Sequence, residues 1–264
     1  MVGLMNTMDR PLRLDVRNVS LSFGSVHVLR GANLQVADFG ITALIGANGA
    51  GKTALLNAIT GIYHPQSGEI LLDGDDICGE TADTIAKRKV GRSFQHLELF
   101  QRLTLTENLL VFRDQFFRGS VLEQVLFLGR ASRQEAAQRE EVEKVIDFFE
   151  LWAHRDTPVK SLSYGMQKLI GFARAMVMQP KLLLLDEPAS GLTREEKENL
   201  ARFILRLRSD WKIPILWIEH DMDLVMDLAD HVHVLQLGRS IASGSPNDVF
   251  ADPEVRKSYL KTSN

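Results

Sequence analysis

The residues Gly46-Ala47-Asn48-Gly49-Ala50-Gly51-Lys52-Thr53 match G-x-x-x-x-G-K-[ST] in full. Glycines at these positions let the backbone curl so that successive N–H groups point inward, forming a cradle for phosphate oxygens. A helix starting at the end of the loop adds the partial positive charge of its N-terminus. Lys52 supplies a point charge for β- and γ-phosphates, and the Thr53 hydroxyl suits a Mg²⁺ ion carried by a nucleotide. Ala54 stands where a second hydroxyl is common in such loops; its N–H still serves an α-phosphate, at a modest cost in affinity.

A second reactive pair, Asp186-Glu187, follows the apolar run Leu182–Leu185 and precedes Pro188. On its own, such a pair after a strand is a solvated turn. With a phosphate loop upstream, Asp186 is expected to hold Mg²⁺ through its water, and Glu187 to orient and deprotonate an attacking water. Ligands of open α/β sheets gather at the carboxyl ends of strands, where this pair falls.

Elements to carry these residues are legible on either side. Residues 12–23 alternate apolar and polar positions as a strand does, a second strand is expected near Ala32–Val36, and Ile41–Ile45 runs straight into the glycine loop. Ala50–Ile59 reads as a helix and Ser67–Asp73 as a strand ending at Gly74. From Leu103 to Leu151 there is no proline, and Val142, Val145, Ile146 and Phe149 recur at helical spacing, which predicts an inserted helical lobe. Lys181–Asp186 and Ile215–Ile218 are apolar strands flanking a helix at Arg194–Ser209, and His231–Leu237 with Ser240–Ala242 form a closing hairpin around Gly238-Arg239. Such alternation with continuously apolar strands implies a parallel sheet covered on both faces.

Composition narrows the function classes. The chain of 264 residues has a net charge of -3, which speaks against a broad basic surface for nucleic acid, so no nucleic-acid partner is expected. Cys78 is the single cysteine and has no internal partner; it reads as an incidental thiol in a reducing compartment. Met1–Leu14 lacks the apolar core of a signal peptide, and no run approaches the ~20 apolar residues of a spanning helix. A role at a membrane would therefore require other chains to hold this one there.

Between the phosphate loop and Asp186 lies Leu162-Ser163-Tyr164-Gly165-Met166-Gln167. In that order the three motifs resemble the ABC ATPase family, over about residues 12–261. The resemblance implies an α/β fold: a P-loop NTPase (RecA-like) parallel-sheet core with an N-terminal antiparallel β subdomain and an inserted α-helical subdomain. Residues 12–95 and 162–261 would form the nucleotide-binding core, residues 96–161 the helical subdomain, and residues 1–11 a short tail. It further implies that Phe23 stacks on adenine with Val28 beside it, that Gln95 touches Mg²⁺ and the attacking water, and that His220 faces the γ-phosphate. ATP would lie on Gly46, Asn48, Gly49, Ala50, Gly51, Lys52, Thr53 and Ala54. Ser163, Tyr164, Gly165 and Met166 would bind the ATP of a partner ATPase in a head-to-tail dimer. Three positions depart from the family pattern: Met166 replaces glutamine, Thr193 replaces Asp or Asn, and Ala54 replaces a hydroxyl residue. They suggest an asymmetric heterodimer.

Two stretches resemble the branch that imports branched-chain amino acids. One runs from Phe94-Gln95 through Leu99-Phe100, Leu103-Thr104 and Glu107-Asn108-Leu109; the other is Gly244-Ser245-Pro246, Val249, Asp252-Pro253-Glu254-Val255 and Ser258-Tyr259-Leu260. Membership implies ATP and Mg²⁺ as cofactors, a second ABC ATPase subunit (hetero- or homodimer), two transmembrane permeases and a periplasmic substrate-binding protein. It implies a cytoplasmic, peripheral position on the inner membrane; because the chain ends soon after the second stretch, no further regulatory domain is expected. His96–Phe100 is the expected permease dock, or else packs within the lobe. Alternatives are a lipid or lipopolysaccharide exporter ATPase, a soluble non-transport ABC ATPase, a P-loop kinase and a regulatory ATP-binding module without turnover; the last two fit poorly with His220 and Glu187.

Overall fold

The computed structural model describes residues 11–93, 99–113 and 130–260. In chain order these form β1 (Leu12–Phe23), β2 (Val26–Ala37), β3 (Ile41–Ile45), α1 (Lys52–Ile59), β4 (Ser67–Leu72), β5 (Asp75–Asp76), α2 (Ala82–Lys87) and β6 (Val90–Ser93). Then come α3 (Leu105–Arg113), α4 (Arg130–Phe148) and α5 (Tyr164–Met176). The chain continues with β7 (Leu182–Asp186), α6 (Arg194–Ser209), β8 (Ile215–Ile218), α7 (Met222–Leu228), β9 (His231–Gln236), β10 (Arg239–Gly244), α8 (Pro246–Ala251) and α9 (Pro253–Leu260). Contacts divide the chain into two units, residues 1–92 with 181–264 and residues 93–180. The second unit is wider than the 96–161 expected from sequence.

The first unit holds two sheets. One has the order β2-β1-β4-β5 with antiparallel pairs throughout; the other has the order β10-β9-β3-β8-β7-β6. In the second sheet β3 pairs in parallel with β8 and β9, and β7 pairs in parallel with β8. Every residue of β3, β7 and β8 is buried, the pattern of strands covered on both faces. β2 starts at Val26, six residues before the expected Ala32, because its exposed polar residues His27 and Arg30 and the break at Gly31 hide the alternation. α1 begins at Lys52, since Ala50 and Gly51 belong to the loop.

The two sheets are joined along β2 by side chains. Ser240 Oγ accepts the N–H of Asn33 at 2.9 Å and donates to its carbonyl at 2.6 Å. His233 Nε2 accepts the N–H of Gln35 at 3.2 Å and lies 3.0 Å from its carbonyl. A backbone bond from Arg30 N–H to Gly238 O (2.9 Å) completes the seam.

The second unit is helical. α3 opens on a capping box in which Thr104 N–H donates to Glu107 Oε2 (2.8 Å) and Glu107 N–H donates to Thr104 Oγ1 (3.2 Å). Asn108, fully buried, ties down the preceding loop: it accepts from Phe100 N–H and donates to the carbonyls of Phe100 and Thr104. Leu105, Leu109, Val142, Val145, Ile146, Phe149 and Ile170 fill the interior.

Burial and the neighbouring His231 ring push the His233 pKa down to about 4, and only the neutral ring can accept the Gln35 N–H. The folded value lies below the unfolded one of ~6.5, so the unfolded chain takes up a proton that the folded chain refuses as pH falls from 6.5 towards 4. Stability contributed by this residue is therefore unchanged above pH 7 and falls by about 2 kcal/mol by pH 5. Urea unfolding at pH 7.5 and pH 5 should show a drop that is smaller by this amount in His233→Gln.

Candidate functional site

Parallel register places the reactive loops at one edge of the second sheet. Leu44 and Asp186 both align with Ile218, so β3, β7 and β8 end level with one another. From these ends emerge the glycine loop 46–51, Asp186-Glu187, and Glu219-His220.

The glycine loop is held from two sides. Gly238 N–H donates to Ala50 O at 2.9 Å, and a Cβ at Gly46 would lie 2.2 Å from Leu235 O. On the other flank, a Cβ at Gly51 would lie 3.0 Å from both Leu29 Cδ2 and Val28 O. α1 starts on Gly51, in left-handed conformation with no side-chain cap, and its ladder opens with Leu55 N–H to Gly51 O at 2.9 Å. The N–H groups of Lys52, Thr53 and Ala54 stand outside that ladder, as an anion site requires. Asn48, Gly49 and Thr53 are exposed, while Gly46, Ala50 and Lys52 are buried.

Lys52 folds back over the loop, its Nζ donating to Gly46 O (2.7 Å) and Ala47 O (3.1 Å). Burial lowers its pKa, and the charges of Glu187 and Asp186 oppose that shift. Asp186 is 3% exposed, and burial raises its carboxyl pKa against the pull of Arg92, with Glu187 adding to the rise. Arg92 Nη2 donates to Asp186 Oδ2 at 3.0 Å; Asp186 Oδ1 is buried and accepts no hydrogen bond among the described residues. Glu187 has φ +47°, sparsely populated for a residue with a side chain, and its N–H is pinned to Ile218 O at 3.0 Å.

His220 stands out from the end of β8 with its side chain 57% exposed and Nδ1 3.4 Å from Glu219 Oε1. Glu219 is wholly buried and accepts from Trp217 Nε1 (3.2 Å) and from the N–H groups of His220 (3.0 Å) and Asp221 (3.3 Å). It therefore shapes the loop that presents His220. Phe23 ends β1, 49% exposed, with its ring edge-to-face against Tyr63 at 5.0 Å. Val28 is half-buried on β2. Gln66 fixes the same strand end: its amide accepts from Ser22 N–H (2.7 Å) and donates to Ser22 O (3.3 Å). Sequence reading missed Arg92, Glu219, Tyr63 and Gln66, whose partners are distant in the chain or ordinary in type. Gln95, and His96–Glu98 of the expected dock, lie outside the described residues.

In the second unit, Ser163 caps α5, its Oγ accepting the N–H of Met166 at 3.2 Å, while Gln167 N–H donates to Ser163 O at 2.9 Å. Tyr164 and Gly165 thus keep their N–H groups outside the helix ladder. Tyr164 is exposed with Lys168 Nζ 5.3 Å from its ring centroid, Gly165 is buried, and the Met166 side chain is half-buried. Thr193, in the first unit, uses its hydroxyl in a full capping box with Glu196 that starts α6.

The arrangement fits a nucleotide-borne Mg²⁺. Mg²⁺ takes one or two protein oxygens beside phosphates; Thr53 and the undonated Asp186 Oδ1 supply that kind of set. No group of three or more His, Cys, Asp or Glu side chains among the described residues could hold a metal.

A glycine phosphate loop, a buried aspartate and an adjoining glutamate on level parallel strands define a P-loop nucleoside-triphosphatase. A family profile described as ABC transporter matches residues 29–190, and the chain belongs to that family as its ATP-binding, ATP-hydrolysing component. It is 37% identical over 253 residues to the high-affinity branched-chain amino acid transport ATP-binding protein BraF of Pseudomonas aeruginosa, covering 96% of this chain and 99% of that one. It is 38% identical over 256 residues to LivG of Escherichia coli K12, which has the same description, with 96% and 99% coverage. The crystal structure of the ADP conformation of MJ1267, an ATP-binding cassette of an ABC transporter, superposes with a TM-score of 0.82 at 28% identity, covering 94% of this chain and 98% of that one.

Because Gly238 holds Ala50 O and leaves no room for a side chain beside Val28 O, Gly238→Ala tests how the loop is shaped. Its φ is +80° and a Cβ would lie 2.3 Å from Val28 O. The substitution should cost roughly 1–3 kcal/mol, lowering Tm by several degrees. Nucleotide affinity, measured by calorimetry below the lowered Tm, should weaken as well; unchanged affinity would show that the turn does not shape the phosphate cradle.

Proposed function

We propose that this chain powers an importer for branched-chain amino acids or related small polar or organic-acid substrates, by ATP-driven closure of a dimer with a second ABC ATPase. The reading rests above all on near-full-length likeness to BraF and LivG, which are described as transporting branched-chain amino acids. The level strand ends that carry the phosphate loop, Asp186 and Glu187 supply the chemistry. Two permeases and, through them, a periplasmic binding protein complete the proposed machine. The chain would sit at the cytoplasmic face of the inner membrane; no helix among the described residues is long and apolar enough to cross a membrane.

In this reading the N–H groups of Gly46, Asn48, Gly49, Ala50, Gly51 and Ala54 cradle phosphates, and Lys52 exchanges its loop carbonyls for β- and γ-phosphate oxygens. Phe23, with Val28 beside it, stacks on adenine. Thr53, Gln95 and Asp186 would hold Mg²⁺, Asp186 through a water, and the ion would neutralise charge on the phosphates. Glu187 accepts a proton from the attacking water as the new O–P bond forms and ADP leaves, and His220 contacts the γ-phosphate. Across the dimer, Ser163, Tyr164, Gly165 and Met166 bind the partner's ATP with a hydroxyl and a helix N-terminus. ATP then joins the subunits, and its hydrolysis releases them, driving the permeases between states.

Glu187 and His220 are present, while Met166, Thr193 and Ala54 depart from the family pattern, so the proposed dimer is asymmetric, with this chain's own site the working one. Glu187→Gln should retain ATP binding and lose roughly 10²–10⁴-fold in turnover. In mixed dimers carrying it only on this chain, wild-type ATPase activity would place the working site elsewhere. Affinity capture from detergent-solubilised membranes tests the importer reading. Co-purification of a second ATPase, two permeases and a binding protein is expected; exporter-type permeases would overturn it.

A further inference from the structure

Arg92 is a buried cation that no motif of the site includes. Its guanidinium donates from Nη2 to Asp186 Oδ2 at 3.0 Å and from Nη1 to Asn57 Oδ1 at 2.7 Å and Thr60 Oγ1 at 3.2 Å. The ion pair is deeply buried, with side chains 8% and 2% exposed. Asn57 and Thr60 lie at the far end of α1, the helix that grows out of the phosphate loop. Thr60 Oγ1 is oriented by donating to Leu56 O at 2.8 Å, so it presents a lone pair to Arg92. One planar fork thus spans from α1 to the end of β7, and Asp186 has its two oxygens unequally used: Oδ2 is held, and Oδ1 is buried without a donor among the described residues.

We propose that Arg92 is a positioning residue for the metal step: by occupying Asp186 Oδ2 from an anchored guanidinium, it fixes Oδ1 as the oxygen presented to Mg²⁺-bound water. The inference rests on the reading of Asp186 as the Mg²⁺-holding carboxylate. A buried carboxylate without a cation is expensive to keep charged, and a charged one without a second anchor is free to rotate. Arg92 removes both problems, because a guanidinium meets Asn57 and Asp186 simultaneously through separate nitrogens. A lysine, with one nitrogen on a flexible stem, keeps the charge and loses the span. Partners that orient metal-binding groups in this way contribute strongly to metal affinity without touching the metal.

The test measures ATP binding to the full chain by calorimetry, first in EDTA and then across a Mg²⁺ titration, for wild type, Arg92→Lys, Arg92→Met, Asn57→Ala and Asp186→Asn. Arg92→Met should raise the Mg²⁺ concentration for half-effect roughly 10–100-fold, while ATP affinity in EDTA stays at the wild-type value. Arg92→Lys, which keeps the buried charge and serves if Arg92→Met fails to fold, should show a smaller rise. Asn57→Ala should move in the same direction. An unchanged Mg²⁺ half-effect in Arg92→Lys and Arg92→Met, or an equal loss of ATP affinity with and without Mg²⁺, would reduce Arg92 to a structural ion pair and overturn the proposal. Asp186→Asn separates the two levels: a wild-type Mg²⁺ response there would instead overturn the reading of Asp186 itself.

Discussion

The parallel ladder that joins β3, β8 and β7 is the constraint from which the site follows. These strands are short and buried along their whole length, so their side chains leave no freedom to slip without exposing apolar surface or breaking the ladder. Residue-for-residue pairing then fixes the height at which each strand ends. Loops that carry the phosphate cradle, the carboxylate pair and the exposed histidine emerge at a common edge because of that pairing. Their own sequences determine what they do there, and the sheet determines that they do it together.

Most of the buried charged groups described around this edge have partners. Lys52 is held by loop carbonyls, Glu219 by an indole and two backbone N–H groups, and Asp186, among the described residues, by a guanidinium on Oδ2. The opposing pulls of burial and of neighbouring charges on Lys52 and Asp186 express one fact: lysine and carboxylates lie close enough to feel one another. Under the proposed function, a phosphate entering between them would meet groups already desolvated and already oriented, which would reduce the reorganisation needed on binding.

Much of this was legible in the sequence, and the failures have identifiable causes. Residues 12–23, 41–45, 194–209 and 215–218 fold with the bounds their patterns gave, because each is a run of clear periodicity or continuous apolarity bordered by a turn or a cap. β6 passed unnoticed: four residues including a glycine carry no periodic signal. The phosphate loop was readable because its residues are contiguous. Arg92 was not, since its partner lies 94 positions away and pairing at that distance leaves no local trace. Tyr63 and Gln66, ordinary residues in a loop, gain meaning only when the end of β1 is brought beside them.

The seam between the two sheets has a consequence for association. β2 lies at one border of its sheet, and a border strand normally offers a row of unpaired N–H and C=O groups to any extended chain that drifts past. At Asn33 and Gln35 those groups are engaged by Ser240 and His233 instead. Side chains from a neighbouring hairpin thereby close that stretch to strand addition, which favours solubility in a chain whose longest antiparallel strands are otherwise well suited to recruit another.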